Sequence, residues 1–292
     1  MGRIVNIDGN LVPPEKAVIS VFDRGFLYGD SVYEVVRTYG GVPFELEAHL
    51  ARLDRSAQLI GLALAMPLER IGAELRRTVD ATGNPESYAR IIATRGSGEI
   101  GLDPGLARDG RLIIIAKELV APPPEAYEQG VKLALVDRRR NEALDPQAKT
   151  GNYLNNVLAM QQAKARGAYE ALMLDTRGRI TEAATANLFL VKAGELSTPP
   201  LAVGILEGVT RGVVIALARG IGIPVHEREL VPDDLFSADE AFITSTTREL
   251  VPVVAVWQGE VERPIGSGSP GPLTRRLLQG FRDRARRLAT RG

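Results

Sequence analysis

The chain has 292 residues, and its 36 lysines and arginines balance its 36 aspartates and glutamates. A chain of this length usually folds as two domains, and the balanced charge excludes a large basic surface for nucleic acid or an anionic membrane. The lack of cysteine excludes disulfides and thiol chemistry, and His49 and His226 are the only histidines, so we expect no metal site. We see no signal peptide and no apolar run of membrane-spanning length, and we therefore expect a cytoplasmic protein.

The first 118 residues predict an α+β domain with a mainly antiparallel sheet. β-branched and aromatic residues favour strands, whereas apolar residues at three- and four-residue intervals favour helices. The predicted elements are a hairpin at residues 4–12, strands at 32–39, 42–44, 88–94 and 111–116, and helices at 46–60 and 68–81. His49, Arg52 and Ser56 lie on one stripe of the first helix, apart from its apolar residues.

Consecutive prolines at residues 122–124 predict an extended linker over residues 119–127, followed by a second domain over residues 128–292. The predicted elements of this domain are strands at 132–137, 171–175, 187–192 and 240–244, and helices at 153–166, 209–219 and 273–289. The last helix is rich in arginine around an apolar stripe. We interpret its basic side as a solvated face, with the apolar side packed on its own protein.

A lysine just before the helix predicted at 153–166 is the first candidate for catalysis. Lys149 precedes Gly151, whose small size lets the backbone approach a ligand closely. A lysine that attacks a carbonyl group must be partly neutral, and desolvation beside a cationic ring lowers its pKa in that direction. We therefore expect Lys149 to bind pyridoxal phosphate covalently. Tyr153 could form a hydrogen bond with the phenolic oxygen of the cofactor, but a half-buried aromatic residue without such a role is the simpler interpretation of this position.

Glu182 lies between two predicted strands and is followed by small residues at 183–186. A carboxylate that faces a pyridine nitrogen keeps that nitrogen protonated, which makes the ring an electron sink for a carbanion. We therefore expect Glu182 to hold the ring nitrogen of the cofactor, with the small residues leaving room for the flat ring. The alternative at this position is a surface glutamate at the edge of a strand.

Two further segments offer hydrogen-bond donors to a phosphate group. Val209 and Thr210 open a helix, and the first N–H groups of a helix favour an anion. Ser245 and Thr246 follow a strand and add hydroxyl and backbone donors, while Arg52 adds a fixed positive charge. We expect these five residues to hold the phosphate.

The glycine-rich segment at 96–101 matches a dinucleotide-binding fingerprint and follows a predicted strand. The fingerprint requires a helix directly after the glycines, but Asp103-Pro104-Gly105 cannot open one in the required register. We therefore interpret this segment as a flexible loop near the substrate entrance.

These residues resemble the class IV, or fold-type IV, pyridoxal-phosphate aminotransferases. This family includes branched-chain aminotransferases, D-amino-acid aminotransferases and aminodeoxychorismate lyase. The resemblance covers nearly the whole chain, and its most specific motifs lie at residues 23–30, 149–153, 172–175, 181–189, 206–211 and 238–249. It implies a two-domain α+β fold with a smaller N-terminal domain and a larger C-terminal domain with barrel-like sheets. It also implies a homodimer whose site lies between the domains, with a loop of the partner subunit, here 96–105, reaching in.

The resemblance also implies roles for individual residues. Lys149 matches the covalent lysine and general acid–base, and Glu182 matches the partner of the ring nitrogen. The implied contacts of the phenolic oxygen and of the phosphate are Tyr153, Arg52, Val209, Thr210, Ser245 and Thr246. The implied substrate-binding residues are Tyr28, Tyr33, Arg37, Tyr88, Arg90 and Thr247.

Three positions divide the family pattern. Val35 follows Glu34 as in D-amino-acid enzymes, where branched-chain enzymes have glycine. The D-amino-acid enzymes use an arginine and a histidine two residues apart in the partner loop, but residues 95–101 contain no histidine. Ala183 also replaces the glycine that usually follows the glutamate. The resemblance therefore leaves the substrate open between the two classes.

We expect a ping-pong transaminase that moves an amino group between an apolar, branched-chain type amino acid and 2-oxoglutarate. A D-amino-acid aminotransferase is the first alternative. Aminodeoxychorismate lyase shares the cofactor residues and differs by releasing pyruvate and 4-aminobenzoate without an amino acceptor. A vitamin-B6-binding or regulatory protein is the non-enzymatic alternative, and it would bind the cofactor without reacting with any amino acid.

Overall fold

The computed structural model describes residues 2–139 and 145–290, and the chain forms two compact units. Unit 1 contains Met1–Val120, Ala148–Asn152 and Ala285–Gly292, and unit 2 contains Ala121–Gln147 and Tyr153–Arg284. Two short segments from the second half of the sequence therefore belong to unit 1, and one of them carries Lys149. Within the described residues, no helix is both long and apolar enough to cross a membrane.

Unit 1 is built on a six-stranded antiparallel sheet with the strand order β2-β1-β8-β5-β3-β4. Its elements are β1 (Ile4–Ile7), β2 (Asn10–Val12), α1 (Arg24–Tyr28), β3 (Ser31–Tyr39), β4 (Val42–Pro43), α2 (Leu46–Leu59), α3 (Leu68–Asp80), β5 (Ser87–Thr94), β6 (Ser97–Gly98), β7 (Ala107–Arg108) and β8 (Arg111–Glu118). The predicted hairpin, strands and helices are confirmed. The short helix α1 and the β6–β7 hairpin were not predicted from the sequence.

One face of this sheet packs against α2 and α3. Side chains alternate along a strand, so Val32 and Val36 of β3 point to the same face, and both are buried in the cluster that the two helices complete. Leu53 of α2 and Leu75 of α3 are fully buried there. Burial of each such side chain is worth about 2–3 kcal/mol, which fixes α2 on the sheet and positions the polar side chains that α2 carries.

Unit 2 is built on a nine-stranded mixed sheet with the order β11-β10-β9-β16-β15-β12-β13-β14, and β17 pairs with β16. Its elements are α4 (Pro124–Glu128), β9 (Val131–Leu135), α5 (Leu154–Ala165), β10 (Glu170–Leu174), β11 (Ile180–Ala183), β12 (Asn187–Lys192), β13 (Glu195–Thr198), α6 (Val209–Gly220), β14 (Val225–Glu227), α7 (Pro232–Ser237), β15 (Glu240–Ser245), β16 (Glu249–Gln258), β17 (Val261–Pro264) and α8 (Pro272–Ala289), whose last residues belong to unit 1. The α+β class is confirmed.

Two connections in unit 2 determine where its functional side chains lie. The strands β9 and β10 are parallel, and α5 forms the crossover between them. A tight turn then leads from β10 into β11, where the Asp175 carboxylate accepts hydrogen bonds from the backbone N–H groups of Arg177 and Arg179. Glu182 was expected between two strands, but it lies within β11 because this hairpin extends the sheet by one more strand.

The segment predicted as an extended linker is partly helical. Pro124 begins α4, which covers residues 124–128. Proline is favourable at the first position of a helix, because its fixed φ suits the helix and its missing N–H would have no intrahelical partner there. The last proline of the run is therefore the first residue of a helix.

Candidate active site

The backbone of Lys149 is fixed on both sides within unit 1. The Tyr33 N–H donates to the Lys149 carbonyl at 2.9 Å, and the Lys149 N–H donates to Ser56 Oγ of α2 at 3.1 Å. The Gly151 N–H donates to the Ser31 carbonyl, and a β-carbon at Gly151 would overlap the Ser31 side chain. Glycine is therefore required at position 151 because the backbone passes close to Ser31 of β3.

The Lys149 side chain lies over an aromatic ring. Its Nζ is 4.4 Å from the centroid of the Tyr33 ring, and the guanidinium carbon of Arg90 is 3.9 Å from the same centroid. Tyr33 is buried. Two cations thus share the environment of one tyrosine, which brings the predicted covalent lysine together with two of the predicted substrate residues.

Four of the predicted substrate residues share one face of the unit 1 sheet. Arg37 pairs with Tyr88 across β3 and β5, and Arg90 and Tyr33 follow by even steps along the same two strands. Because side chains alternate between faces, these four lie opposite to α2 and α3. The Lys117 ammonium of β8 lies 5.4 Å from the centroid of the Tyr88 ring on that face. The face is therefore strongly basic, and Lys117 was not foreseen as part of it.

Arg52 belongs to a buried ionic cluster on the other side of β3. Its Nε and Nη2 donate to the two carboxylate oxygens of Glu34 at 2.7 and 2.8 Å, and His49 Nδ1 lies 2.8 Å from Glu34 Oε2. Ser56, on the same stripe of α2, donates to the Arg52 carbonyl at 2.8 Å. The stripe of polar residues noted in the sequence is thus arranged around Glu34 and the backbone of Lys149.

The charges of this cluster follow from its burial. Burial alone would raise the pKa of Glu34, but the charge and hydrogen bonds of Arg52, together with His49, lower it far below its usual range. Burial lowers the pKa of His49, and the positive charges of Arg52 and Lys149 act in the same direction, against Glu34. We therefore assign an ionised Glu34, a cationic Arg52 and a neutral His49.

In unit 2, the Glu182 carboxylate is oriented by two neutral donors. Asn187 Nδ2 donates to Glu182 Oε2 at 2.9 Å, and the Leu206 N–H lies 3.3 and 3.2 Å from the two carboxylate oxygens. Asn187 Nδ2 also donates to the Leu206 carbonyl at 3.0 Å. These donors hold the buried carboxylate in place. The part played by Asn187 was not predicted.

The start of α6 packs against this arrangement. Val209 and Thr210 are its first two residues, as predicted, and no side chain caps the helix at Gly208. A β-carbon at Gly208 would overlap the side-chain oxygen of Asn187, so glycine permits the close approach. The first N–H groups of a helix of this length favour an anion.

The turn between β15 and β16 lies at the same end of the sheet. Ser245 ends β15, and Thr246 and Thr247 form the turn. Asn187 is the cross-strand partner of Thr244, the residue before Ser245. Cross-strand partners have Cα atoms about 5 Å apart, so the start of α6 and the turn after β15 are neighbours in unit 2. The structure therefore brings together Glu182 and four of the five predicted phosphate contacts, whereas Arg52 belongs to unit 1.

Tyr153 is half-buried at the N-terminus of α5 in unit 2. Its carbonyl accepts from the Val157 N–H at 2.9 Å, and Asn156 Nδ2 in the same first turn donates to the Ala184 carbonyl at 2.7 Å. Tyr153 thus lies at the end of a helix whose first turn is hydrogen-bonded, through Asn156, to the turn that follows Glu182.

Three of the small residues after Glu182 pack in apolar clusters. Ala183 and Ala186 pack in the main apolar cluster of unit 2, and Ala184 packs in a second cluster beside α5. Their small side chains let β11 and the turn after it pack closely against these two clusters. The residues that follow Glu182 are buried as a result.

Tyr28 and the glycine-rich segment form a separate group in unit 1. The Gly101 N–H donates to the Tyr28 hydroxyl at 3.2 Å, and Arg24 Nη1 donates to the carbonyls of Gly101 and Asp103 at 2.8 and 3.3 Å. The glycine-rich segment runs into the β6–β7 hairpin, and the element directly after it is a short 3-10 helix (Pro104–Leu106) in place of the α-helix that a dinucleotide fingerprint requires. Tyr28 thus contacts the segment predicted as the partner loop.

Comparison with known proteins gives one consistent result. The class IV amino-transferase family model matches residues 31–256. A putative branched-chain-amino-acid aminotransferase of Methanocaldococcus jannaschii is 39% identical over 281 residues, which cover 96% of this chain and 95% of that protein. A D-alanine aminotransferase of Bacillus licheniformis is 33% identical over 279 residues, covering 96% of each. The crystal structure of the Escherichia coli branched-chain amino acid aminotransferase is 31% identical, with a TM-score of 0.91 over 97% of this chain and 94% of that one.

Proposed function

Because the chain belongs to the class IV aminotransferases and is therefore an enzyme, we propose that it uses pyridoxal 5′-phosphate to move an amino group between an apolar, branched-chain type α-amino acid and 2-oxoglutarate. We propose ping-pong order, in which the first 2-oxo acid leaves before the second one binds. The observation that carries the proposal is Lys149, which is held at both its N–H and its carbonyl and whose Nζ lies at the basic face of the unit 1 sheet.

The residues of the chain fit this cofactor in type and in arrangement. Glu182 offers a fixed carboxylate to a protonated ring nitrogen, and the start of α6 offers N–H groups to a phosphate. A crystal structure of a branched-chain amino acid aminotransferase, 32% identical to this chain, contains pyridoxamine 5′-phosphate. Class IV aminotransferases are pyridoxal-phosphate enzymes, which supports the same cofactor here.

When bound, pyridoxal phosphate withdraws electrons from the substrate α-carbon and makes its hydrogen acidic. Lys149 would hold the cofactor through its amine, and the same amine, when free, would move the proton of the α-carbon. Glu182 keeps the ring nitrogen protonated. Val209, Thr210, Ser245 and Thr246 orient the phosphate through N–H and O–H donors, with Arg52 as the fixed charge that Glu34 aligns.

The sheet face beside Lys149 suits the proposed substrates. Arg37, Arg90 and Lys117 supply positive charge for the two carboxylates of a dicarboxylic oxo acid such as 2-oxoglutarate. Val35 and Ile92 lie among them on the same face and offer apolar surface to a branched side chain. We propose that Tyr33 and Tyr88 line the substrate pocket with these residues, and that Tyr28 and Thr247 complete it.

A D-amino-acid aminotransferase remains the second candidate, favoured by Val35 and by the D-alanine aminotransferase relatives. In unit 1, however, the Arg95 guanidinium forms hydrogen bonds with groups of the protein itself. Its Nε donates to Asp30 at 2.8 Å, and Nη1 and Nη2 donate to the carbonyls of Gly61 and Ile60 at 2.7 and 2.9 Å. All three nitrogens therefore have protein partners, which disfavours Arg95 as a carboxylate receptor for D-amino acids.

Initial rates with the L- and D-forms of leucine, alanine and glutamate, each with 2-oxoglutarate or pyruvate as acceptor, test the proposal. We expect L-leucine with 2-oxoglutarate to be the best pair and double-reciprocal plots to be parallel. Faster turnover of D-alanine would favour the second candidate. Release of pyruvate and 4-aminobenzoate from aminodeoxychorismate without an acceptor would identify a lyase instead.

We also propose that the enzyme is a homodimer. Phe22 and Phe26 around α1 are 52% and 67% exposed, and Ile100 and Leu102 in the β6–β7 hairpin are 69% and 82% exposed. Arg24 ties these two segments together, so they form one ordered apolar patch, the α1 patch. Monomeric proteins seldom expose such patches, which supports a second copy of the chain as the cover.

A further inference from the structure

Arg248 has a place in unit 2 that neither the sequence motifs nor the proposed chemistry uses. It lies in the turn between β15 and β16, three residues after Ser245. Its Nε donates to Ser245 Oγ at 3.0 Å, its Nη1 donates to Glu170 Oε2 at 2.6 Å, and its Nη2 donates to the Thr185 carbonyl at 3.1 Å. All three guanidinium nitrogens therefore bind the protein.

These contacts join two segments of the candidate site. Ser245 belongs to the turn proposed to hold the phosphate, and Thr185 belongs to the turn that follows Glu182. Glu170 of β10 is fully buried and contacts Arg248. Thr185 Oγ1 also donates to the Glu170 carboxylate, at 2.7 Å. The planar guanidinium thus holds Ser245 in place relative to Glu170 and Thr185.

The charge of Arg248 is largely balanced. Its side chain is 16% exposed, and its partner Glu170 is fully buried at 2.6 Å. A close pair of opposite charges has little net field at a distance, so Arg248 adds little general attraction for an anion. Its influence on a bound phosphate must therefore act through the geometry of Ser245.

A hydroxyl group has one hydrogen to donate and two lone pairs to accept with. Because Ser245 Oγ accepts a charge-assisted hydrogen bond from Arg248 Nε, its own hydrogen remains for a separate acceptor. An accepting bond to a cation also makes the hydroxyl a better donor, because bonds in a chain polarise one another. Arg248 thereby prepares Ser245 to donate to an anion.

We propose that Arg248 is a positioning residue for the phosphate of the cofactor, acting through Ser245 and anchored by Glu170. The proposal rests on the proposed function, since it needs pyridoxal phosphate as the ligand. It assigns a role to a residue that touches neither the reacting atoms nor the phosphate itself. The contribution is specific for the phosphate group and does not extend to the pyridine ring.

Equilibrium binding of pyridoxal phosphate and of pyridoxal, which lacks the phosphate, to cofactor-free full-length protein tests this role. The main variant is Arg248→Met with Glu170→Gln, because removing the arginine alone would leave a buried carboxylate unpaired and could unfold the protein. We expect its Kd for pyridoxal phosphate to rise about tenfold, the scale of one hydrogen bond to a charged group, and its Kd for pyridoxal to stay unchanged. Equal weakening of both ligands would mean a merely structural role and would overturn the proposal.

Ser245→Ala, alone and combined with the main variant, gives a double-mutant cycle. We expect the combined protein to bind pyridoxal phosphate no more weakly than Ser245→Ala alone does, because Arg248 acts through the Ser245 hydroxyl. Arg248→Lys should weaken binding similarly, because an ammonium cannot make the forked contacts. Additive effects, or full retention of affinity in Arg248→Lys, would contradict the proposal.

Arg228→Met is the matched control. Arg228 in unit 2 has the same kinds of partner, since its Nε donates to Ser197 Oγ, its Nη1 to the Glu229 carbonyl and its Nη2 to Asp234. It should leave both Kd values unchanged. If the wild-type protein binds neither ligand, the proposed function fails and this proposal fails with it. If the wild type binds both and the main variant binds both equally well, the positioning role alone is refuted.

Discussion

At the scale of single residues, the clearest feature of unit 1 is that one carboxylate organises an arginine and a neutral histidine. Glu34 binds Arg52 through two parallel hydrogen bonds and His49 through a third, and it is fully buried. Forked arginine–carboxylate pairs fix direction as well as distance. Glu34 is therefore the residue that aligns Arg52. We expect substitution of Glu34 to lower both the stability of the fold and the affinity for the cofactor.

Glu34→Gln tests this assignment. The change leaves a buried guanidinium without its counter-charge, and breaking such a pair costs about 3–5 kcal/mol. We expect a large fall in the urea midpoint and a higher Kd for pyridoxal phosphate. Glu47→Gln on α2, the helix that carries Arg52, is the control. Glu47 forms an exposed ion pair with Arg76 at 3.4 Å, so this substitution should change stability by less than about 1 kcal/mol. Similar effects of the two changes would argue against the assignment.

The neutral state of His49 predicts the direction of a pH effect. Its pKa is lowered in the folded protein, so below the ordinary histidine value of about 6.5 the unfolded chain binds a proton that the folded chain refuses. Stability should therefore fall as the pH falls from 7 to 5, by at most about 1.4 kcal/mol per pH unit from this group. Glu34, with its lowered pKa, acts in the same direction at lower pH.

Urea midpoints at pH 7, 6 and 5 measure this effect. We expect His49→Asn to show a smaller loss than the wild type between pH 7 and pH 5. His226→Asn is the control and should keep the wild-type slope, because His226 is exposed beside Glu195. An unchanged slope in His49→Asn would show that His49 is not the group responsible.

At the scale of elements, the candidate site of unit 2 depends on where strands and helices end. The start of α6, the end of β15 and the start of β12 lie together because Gly208 packs on Asn187 and Asn187 pairs with Thr244. The side chain of Asn187 then reaches Glu182 of β11. One glycine thus controls how closely the proposed phosphate helix approaches the proposed ring-nitrogen partner.

Gly208→Ala should disturb this junction. The added methyl group would displace the Asn187 side chain and with it the hydrogen bond to Glu182, so we expect the Kd for pyridoxal phosphate to rise at least about tenfold, the equivalent of one lost hydrogen bond of 1.4 kcal/mol. Gly212→Ala in the same helix is the control. An added methyl there meets nothing within 4 Å, and the change should stabilise the helix by about 0.5–1 kcal/mol. Equal cofactor affinity in the two variants would contradict the account of Gly208.

The same junction shows what the sequence could and could not predict. Helix α6 and strand β12 were predictable because periodicity and β-branched residues mark them locally. The roles proposed for Lys149 and Glu182 come from their sequence motifs. The bond from Asn187 to Glu182 was not predictable, since it depends on a turn that folds two strands together. Strand β16 was missed although it is almost wholly apolar, because a buried strand lacks alternation and Pro252 interrupts its pattern.

At the scale of the whole molecule, the α1 patch is the feature that an isolated chain explains least. Its apolar residues stand on a helix and a hairpin that are fastened to each other by Arg24, so the patch is ordered while it is exposed. Covering it with a second copy would remove large apolar side chains from water. The homodimer proposed above follows from this arrangement.

Leu102→Asp tests the proposed dimer. A carboxylate in an apolar contact must lose its hydration, so we expect the variant to sediment as a monomer where the wild type sediments as a dimer. Val261→Asp is the control, because Val261 is similarly exposed, at 61%, on the edge strand β17 of unit 2. A monomeric wild type, or a Leu102→Asp protein that remains dimeric, would contradict the proposal.

The central claim is that Lys149 is the residue that carries the cofactor. Borohydride reduction of the purified, cofactor-loaded enzyme fixes pyridoxal phosphate to the lysine that holds it, and peptide mass spectrometry then locates the added mass. Lys117 is the natural competitor, since its ammonium lies over Tyr88 on the same basic face. We predict the added mass on the peptide that contains Lys149 and on no other. Its appearance on Lys117 or another lysine, or its absence from the loaded enzyme, would contradict the account.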